Sequence, residues 1–243
     1  MANARPVVVI VLGSVLYTLL LWATSAFFGS LIVVFGWLPV HRLYAFARGW
    51  AHTQLYMLRW LCGITYTVEG REHIPAGCHV SLWKHSSAWE TIAQMVVFPP
   101  QAWVLKREIL WIPFAGWATR MLHPIAINRS SGGTAVNQVV NQGKQRLASG
   151  LWVLVFPEGT RVPVGTTRRY GISGALLASQ AGCYVVPVAH DAGLYWGRRA
   201  VFKRPGVVRV VIGKPIETRN RDAREINEEA RRWIDSTVAA LGA

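Results

Sequence analysis

The sequence predicts an α/β fold in which a mixed, largely parallel sheet is flanked by helices and follows an N-terminal membrane-anchoring helical segment. After residue 63, short apolar runs typical of strands alternate with stretches of helical periodicity. The first 40 residues are almost entirely apolar, as in a membrane helix. Polar and charged residues follow several of the apolar runs, so we expect the chemistry at strand ends and in the loops after them.

The N-terminal segment contains no charged or histidine side chain from residue 6 to residue 40, a run of 35 residues. Because about 20 apolar residues cross the core of a bilayer, the run fits either one tilted span or two shorter helices broken near Ser25 and Gly29. A cleaved signal peptide fits less well, since the hydrophobic stretch continues through Leu38 and a single arginine precedes it.

Residues 41–60 combine aromatic side chains at helical spacing with three arginines. This pattern is typical of a helix that lies in the membrane interface, and a helix packed on the protein core is the alternative. The excess of positive charge after the apolar run favours a cytoplasmic position for the rest of the chain. We therefore assign residues 1–62 to a membrane-anchoring segment and residues 63–243 to the domain that carries the chemistry.

The first half of this domain is predicted to contain four strands and one helix. Residues 65–70 alternate as in a strand with one exposed face, and residues 79–83 form a second strand. Ser86 or Ser87 is a favourable N-cap for a helix that two prolines end after about residue 98. The next strands are predicted at two short apolar runs, residues 102–105 and 125–127.

The second half contains three helices and three strands by the same criteria. A glycine pair precedes a helix at residues 134–149. Residues 151–156 form a continuous apolar run, which is typical of a strand buried on both faces. An amphipathic helix at residues 222–241 closes the chain. Between these elements we predict a helix at residues 173–181 and strands at residues 184–189 and 207–212.

The chain is strongly basic, with a formal net charge of +14 and with 21 arginines against 5 lysines. A basic surface attracts nucleic acids, anionic lipid headgroups or phosphorylated substrates. Arginine suits phosphate because its planar guanidinium donates two parallel hydrogen bonds. The apolar N-terminus and the lack of a recognisable nucleic-acid-binding motif lead us to expect a phospholipid membrane as a partner and no nucleic acid.

The run from Lys84 to Glu90 carries the first candidate catalytic pair. Histidine titrates near neutrality, so His85 is suited to act as a general base for a hydroxyl group. Glu90 is the nearest acid for the other ring nitrogen. Five residues of ideal helix turn through about 140°, so the two side chains can meet only if His85 lies before the helix and turns back over its first turn.

The run Phe-Pro-Glu-Gly-Thr-Arg at residues 156–161 is the second candidate. A buried strand leads into it, Gly159 permits close approach of a ligand, and Arg161 can bind a phosphate through two hydrogen bonds. The carboxylate of Glu158 can accept a hydrogen bond from a polyol hydroxyl group. An ordinary turn with an internal Glu158–Arg161 ion pair is the alternative.

Two further cations follow neighbouring strands. Lys106 and Arg129 each come where a predicted strand ends, so we expect both on the rim of the same pocket. For Arg107, and for Arg168 and Arg169, we expect solvated positions on the surface.

The adjacent residues His190 and Asp191 could be mistaken for a catalytic pair. Neighbouring strand residues point to opposite faces, so we expect structural roles for both. We expect no metal site, because the sequence has neither a His-Glu-x-x-His motif nor a cluster of cysteines and histidines. The three cysteines are few, odd in number and far apart, which argues against a disulfide framework.

Together these motifs resemble the glycerolipid acyltransferase family, and most closely its bacterial 1-acyl-sn-glycerol-3-phosphate acyltransferases. That family has an N-terminal membrane anchor and a His-x4-Asp site, and this chain has His85 and Glu90, with glutamate in place of the usual aspartate. The other matching blocks lie within residues 65–215 in the family's order, at residues 106–108, 127–129, 156–161 and 185–188.

The resemblance implies transfer of a fatty acyl group from acyl-CoA or acyl-carrier protein to the sn-2 hydroxyl of 1-acyl-sn-glycerol 3-phosphate (lysophosphatidate), giving phosphatidic acid. It implies no cofactor and a location at the bacterial inner membrane, with the catalytic domain on the cytoplasmic side. By the same resemblance His85 is the base and Glu90 its orienting carboxylate. The implied substrate-binding residues are Lys106, Arg129 and Arg161 at the acceptor phosphate, and Glu158, Gly159 and Thr160 in the adjoining loop.

Two departures from the family pattern affect these expectations. Glu90 has one methylene more than aspartate, so the geometry of the histidine–carboxylate pair must differ slightly. Gly171 occupies a position that is often lysine in relatives, so either Arg168 or Arg169 replaces that cation or the contact is absent. The alternatives to the implied function are the same chemistry on another acceptor, such as glycerol 3-phosphate or a lyso-aminolipid, and a non-enzymatic basic protein tethered to membranes.

Overall fold

A computed structural model describes residues 6–128 and 133–243 of the chain. Helix α1 (Val7–Val34) has 28 residues and is about 42 Å long at 1.5 Å per residue, longer than the hydrocarbon core of a bilayer. It runs through Ser25 and Gly29 without a break, so the single long helix is the arrangement observed. Among the helices in these two ranges, only α1 is long and apolar enough to cross a membrane.

Helix α2 (Val40–Met57) turns back along α1 and packs on the rest of the protein. The ring of Tyr44 is buried and stacks on Trp103, with 5.9 Å between the ring centroids. Arg48 donates hydrogen bonds to the carbonyl oxygens of Met95 and Phe98 at 3.1 Å. This face of α2 therefore fits the alternative of a helix packed on the core, while Tyr56 on the other face is exposed.

A five-residue π-helix (Leu58–Cys62) extends α2 and ends at Gly63, whose φ of +70° suits glycine. The predicted division after residue 62 falls at this point, immediately before the first strand. One apolar core crosses it, because Tyr17 and Leu43 belong to the same buried cluster as Trp83. The division into two domains stays a prediction.

The sheet has seven strands in the order β1-β7-β6-β2-β5-β3-β4. Six neighbouring pairs form it, and only β6 and β7 run antiparallel. This arrangement confirms the predicted mixed, largely parallel sheet. The strands are β1 (Ile64–Glu69), β2 (Val80–Trp83), β3 (Gln101–Lys106), β4 (Ile125–Ile127), β5 (Trp152–Val155), β6 (Val185–His190) and β7 (Gly206–Ile212).

Helices cover both faces of the sheet and enclose two apolar layers. The layer on the side of α1, α2 and α3 contains Trp83, Trp89 and Trp152, and the opposite layer contains Val80 and Leu82. Every residue of β2, β5 and β6 is buried, which explains their continuous apolar sequences. The remaining helices are α3 (Trp89–Val97), α4 (Ala115–Met121), α5 (Gly133–Ala148), α6 (Ser173–Ala181) and α7 (Ala223–Ala240).

Helix α3 begins at Trp89, directly after Ala88 and within one residue of the start that an N-cap at Ser87 predicts. The Ser87 hydroxyl oxygen accepts a hydrogen bond from the Trp89 N–H at 3.1 Å. The Glu90 carboxylate accepts from the backbone N–H groups of Ser86 and Ser87, as in a capping box. Helix α4 was not predicted; it starts after Phe114, whose φ is +59°.

Candidate active site

The candidate site lies at the carboxyl end of β2, the central strand of the sheet. The chain leaves this strand at Trp83 and places Lys84 and His85 in the following loop. The parallel neighbours β5 and β6 end at the same edge, and Trp83 pairs with Val188 of β6. Parallel pairing therefore brings Glu158, after β5, and His190, at the end of β6, to the loop that carries His85.

His85 and Glu90 contact each other directly. The Nδ1 atom of His85 lies 2.8 Å from Oε1 of Glu90, and the Glu90 side chain is fully buried. His85 precedes α3 while Glu90 occupies its first turn, which is the geometry that the spacing required. The structure thus brings the predicted pair together, and the catalytic roles of the two residues stay predictions.

The pKa of the Glu90 carboxyl is held below its usual value. Burial alone raises this pKa, because it penalises the charged form. The hydrogen bond with His85, the nearby His190 ring and the Ser87 N–H oppose burial and together outweigh it. Glu90 therefore stays ionised at neutral pH and can stabilise a positive charge on His85.

The ring of His85 is fixed by packing as well as by Glu90. It stacks on Phe156 with 4.0 Å between centroids and 19° between the ring planes. The His85 carbonyl oxygen accepts a hydrogen bond from the Val162 N–H at 2.8 Å. With Nδ1 directed at Glu90, the other ring nitrogen, Nε2, is the one left for a substrate hydroxyl group.

Glu158 holds the loop that carries His85. Its Oε1 lies 2.6 Å from Nζ of Lys84 in a buried ion pair, and its Oε2 accepts a hydrogen bond from the His85 N–H at 2.7 Å. Both carboxylate oxygens thus bind groups of the loop that carries His85. Among residues 6–128 and 133–243 no ion pair joins Glu158 to Arg161, the alternative that the sequence left open. A contact of Glu158 with a polyol stays untested.

Sequence analysis did not single out Lys84 as a partner of Glu158. The available signal was a lysine at the end of a strand with no acid near it in sequence. Only the pairing of β2 with β5 shows that the two side chains meet.

Gly159 and Arg161 lie in the same turn as Glu158. Gly159 has a φ of +69°, and a methyl group built there meets nothing within 4 Å, so the backbone conformation is what requires glycine. Thr160 and Arg161 are half-buried. The Nε atom of Arg161 is buried and makes no hydrogen bond to any residue that the structure describes. A guanidinium in this state is suited to bind an anion.

The other predicted cations are placed differently. Lys106 is the last residue of β3, at the same edge of the sheet, where it is half-exposed and pairs with Glu108 at 3.2 Å. Arg129 lies outside the described residues. Arg107, Arg168 and Arg169 are exposed, as expected.

His190 and Asp191 point in different directions, as expected for neighbouring strand residues. Asp191 accepts hydrogen bonds from the backbone N–H of Arg209 at 2.8 Å and from its Nε at 2.9 Å. His190 is fully buried, and its Nε2 lies 2.9 Å from the Lys84 carbonyl oxygen and 3.9 Å from Oε2 of Glu90. His190 therefore belongs to the surroundings of the candidate pair, which the sequence analysis missed.

No group of three or more histidine, cysteine, aspartate or glutamate side chains able to hold a metal ion occurs within the described part of the chain. The site contains an imidazole, His85, in contact with a carboxylate, Glu90. It also contains the guanidinium of Arg161, which forms no ion pair with Glu158, because Glu158 pairs with Lys84. This set of groups can remove a proton from a hydroxyl group beside a bound anion.

Comparison with known proteins gives three findings. The family model described as Acyltransferase matches residues 65–191, more than half of the chain. A 1-acyl-sn-glycerol-3-phosphate acyltransferase of Pseudomonas aeruginosa is 41% identical over 94% of this chain and 91% of its own length. The human 1-acyl-sn-glycerol-3-phosphate acyltransferase alpha is 32% identical over 55% of this chain and 48% of its own.

The fold also has a counterpart among solved structures. The crystal structure of the 1-acyl-sn-glycerophosphate (LPA) acyltransferase PlsC from Thermotoga maritima superposes with a TM-score of 0.76 at 20% sequence identity. The match covers 96% of this chain and 95% of that one, so the likeness includes the N-terminal helices as well as the sheet.

Proposed function

Because this chain belongs to the acyltransferase family, we propose that it transfers a fatty acyl group from a thioester donor to the sn-2 hydroxyl of 1-acyl-sn-glycerol 3-phosphate. The donor is acyl-CoA or acyl-carrier protein, and the product is phosphatidic acid. The observation that carries the proposal is the 2.8 Å contact between Nδ1 of His85 and Oε1 of Glu90, which leaves Nε2 for the acceptor.

The reaction begins with proton transfer to His85. Its Nε2 removes the proton of the sn-2 hydroxyl group while the hydroxyl oxygen attacks the carbonyl carbon of the thioester. A carbon–oxygen bond forms and the carbonyl becomes a tetrahedral oxyanion. Glu90 stabilises the imidazolium through the Nδ1–H, because it is buried and remains ionised.

The intermediate then breaks down to products. The carbonyl re-forms, the carbon–sulfur bond breaks, and the imidazolium returns its proton to the departing thiolate. The products are the ester and a free thiol, and His85 is again neutral. The enzyme forms no covalent intermediate in this series of steps.

The acceptor phosphate is bound by Arg161 in this proposal. Its Nε is buried without a hydrogen-bond partner in the described residues, and it follows Glu158 by three residues in the same loop. Glu158 holds His85 from this loop, so the base and the anion site are connected within one turn. By the same resemblance Lys106 and Arg129 are further phosphate ligands, Glu158 and Gly159 line the glycerol site, and Thr160 is a further substrate-binding residue.

The proposed location is a phospholipid membrane, with the catalytic part on the cytoplasmic side. Helix α1 exposes a face of large apolar side chains, including Leu12, Leu19 and Trp22. Trp111 and Trp117 continue this face, because the backbone at Phe114 packs closely against Gly29 of α1. Exposed apolar surface of this kind is typical of membrane contact.

The test is a radiolabelled acyl-transfer assay on the purified protein and on His85→Ala, with lysophosphatidate present and absent. We expect labelled phosphatidic acid from the wild type only when lysophosphatidate is present, and a loss of at least about 100-fold in the variant. Near-normal turnover by His85→Ala would show that His85 is not the general base.

The same assay separates the alternatives. Assays with glycerol 3-phosphate or a lyso-aminolipid in place of lysophosphatidate identify the acceptor. A comparison of acyl-CoA with acyl-carrier protein in the same assay identifies the donor. A product formed from glycerol 3-phosphate at a higher kcat/KM than from lysophosphatidate would overturn the assignment of the acceptor.

A further inference from the structure

The two oxygens of the Glu90 carboxylate have different surroundings. Oε1 accepts hydrogen bonds from the N–H groups of Ser86 and Ser87, at 3.1 and 3.0 Å, and contacts Nδ1 of His85. Oε2 is equally buried but makes no hydrogen bond to any residue in the described ranges. A buried carboxylate oxygen without a donor is costly, so a donor is expected nearby.

The ring of His190 is one such group. Its Nε2 lies 3.9 Å from Oε2 of Glu90, and both side chains are fully buried. A hydrogen bond between them needs a distance of at most about 3.2 Å, which a movement of about 0.7 Å would give. The rings of Trp83 and Trp89 lie beside the His190 ring at 6.5 and 6.3 Å between centroids, so this histidine is enclosed by the core.

The backbone determines which nitrogen of His190 carries the proton. The N–H of Ala192 donates to Nδ1 at 3.3 Å, so Nδ1 acts as the acceptor of the neutral ring. Nε2 then carries the hydrogen and donates to the Lys84 carbonyl oxygen at 2.9 Å. The same nitrogen lies 3.9 Å from Oε2 of Glu90.

We propose that His190 is a positioning residue for the acyl transfer, whose Nε2–H donates to Oε2 of Glu90 and holds the carboxylate against His85. The Lys84 carbonyl oxygen and Glu90 share this hydrogen. Glu90 is thereby oriented from both sides, by His85 at one oxygen and by His190 at the other. This inference rests on the proposed function, since it gives His190 a part in the reaction of His85.

The length of the Glu90 side chain fits this arrangement. The glutamate on the first turn of α3 places Oε1 2.8 Å from Nδ1 of His85 and Oε2 3.9 Å from Nε2 of His190. An aspartate at this position is shorter by one methylene, about 1.5 Å, and cannot keep both contacts without a backbone movement. The glutamate that departs from the common His-x4-Asp pattern is therefore matched to a second histidine.

The first experiment compares His190→Gln with His190→Met. The two side chains have nearly the same shape, but only glutamine carries an N–H group where Nε2 of histidine lies. We expect His190→Met to lower kcat by about ten- to a hundredfold, the effect of losing one hydrogen bond to a charged group. His190→Gln should restore kcat to within about threefold of the wild type. The KM for lysophosphatidate should change by less than about twofold in both, because His190 touches no substrate.

The second experiment combines His190→Met with Glu90→Asp. If the shorter carboxylate of Glu90→Asp no longer interacts with His190, then adding His190→Met to this variant should lower kcat by no more than about twofold. Equal fold-losses from His190→Met in both backgrounds would show that His190 acts only on the fold.

A failure of this inference can be distinguished from a failure of the proposed function. If His85→Ala is inactive while His190→Met and His190→Gln have the same kcat as the wild type, the inference about His190 is wrong and the role of His85 stands. If His85→Ala retains full activity, the proposed role of His85 is wrong, and the inference about His190 is wrong with it. A Met variant and a Gln variant that lose activity equally would also overturn the inference, since the hydrogen bond would then have no part in the loss.

Discussion

Nζ of Lys203 lies 2.9 Å from Oγ1 of Thr18, so a lysine from the loop before β7 is buried against the apolar N-terminal helix α1. The same ammonium donates to the Val201 carbonyl oxygen at 2.8 Å. It also lies over the rings of Tyr17 and Trp196, at 4.9 and 4.8 Å from their centroids. These contacts replace the water that a buried ammonium loses.

This lysine connects α1 to the loop beside the active site. The carbonyl oxygen of Trp196, whose ring packs on Lys203, accepts a hydrogen bond from the Ser87 hydroxyl at 2.5 Å. The N–H of Ser87 in turn donates to Glu90. The N-terminal helix is therefore part of the structure that places the candidate pair.

Lys203→Met should destabilise the protein by about 1–3 kcal/mol, because it removes hydrogen bonds made by a charged group and leaves buried oxygen atoms without a donor. Thermal unfolding in detergent is the measurement, with a decrease in Tm of several degrees as the expected result. Lys144→Met is the matched control, since Lys144 is exposed and donates a hydrogen bond to Gln180. Equal Tm values for the two variants would contradict the role given to Lys203.

Glu158→Gln should destabilise the protein by about 3–5 kcal/mol, because it leaves the buried ammonium of Lys84 without its counter-charge. The double variant with Lys84→Met removes both charges and should recover most of this loss. Chemical unfolding in detergent measures the three free energies of unfolding. If the double variant is as unstable as the single one, the unpaired charge is not the cause.

The depressed pKa of Glu90 predicts a pH dependence of stability. Its folded-state pKa is below the unfolded value of about 4.3, so Glu90 contributes stability above that pH and loses it as the pH falls through the folded-state pKa. Glu90→Gln has no such group. The stability difference between wild type and variant should therefore decrease as the pH is lowered from 6 towards 3, as measured by urea unfolding in detergent. A constant difference would contradict the prediction.

Arg161→Ala should raise the KM for lysophosphatidate by about tenfold or more, because a charge-assisted hydrogen bond to phosphate is lost. Hydrolysis of the thioester donor without an acceptor should change much less. Steady-state kinetics with each substrate varied make the distinction. Arg232→Ala, on the exposed face of α7, is the control and should leave both values unchanged. An unaltered acceptor KM in Arg161→Ala would exclude Arg161 from the phosphate site.

Replacement of Trp111 and Trp117 by serine should weaken binding to phospholipid vesicles. Trp111 is 70% exposed and ends a 3-10 helix (Arg107–Trp111) shortly before Phe114, whose backbone lies close to Gly29 of α1, so its indole is placed for the membrane interface. Co-sedimentation with vesicles in detergent-free buffer measures the bound fraction. The control is Val207→Ser, an exposed apolar position on β7, which should bind as the wild type does.

Much of the fold could be predicted from local patterns. Strand β4 and helix α6 have the predicted bounds, and the continuous apolar run of β5 is a strand buried on both faces, as expected. Helix α3 begins within one residue of the start that an N-cap at Ser87 predicts, and the Ser87 hydroxyl oxygen accepts a hydrogen bond from the Trp89 N–H. Helix α4 was missed because its seven residues are too few to show a period.

The candidate site, like the fold, could be predicted only in part from the sequence. The candidate catalytic groups could be found in the sequence, because an imidazole five residues before a carboxylate, and a Pro-Glu-Gly-Thr-Arg turn after an apolar strand, are local patterns. Which groups lie close together across the sheet is visible in the folded chain alone: Lys84 with Glu158, and His190 with Glu90. These partners are 74 and 100 residues apart in sequence, since the end of a parallel strand brings together loops that no local pattern relates.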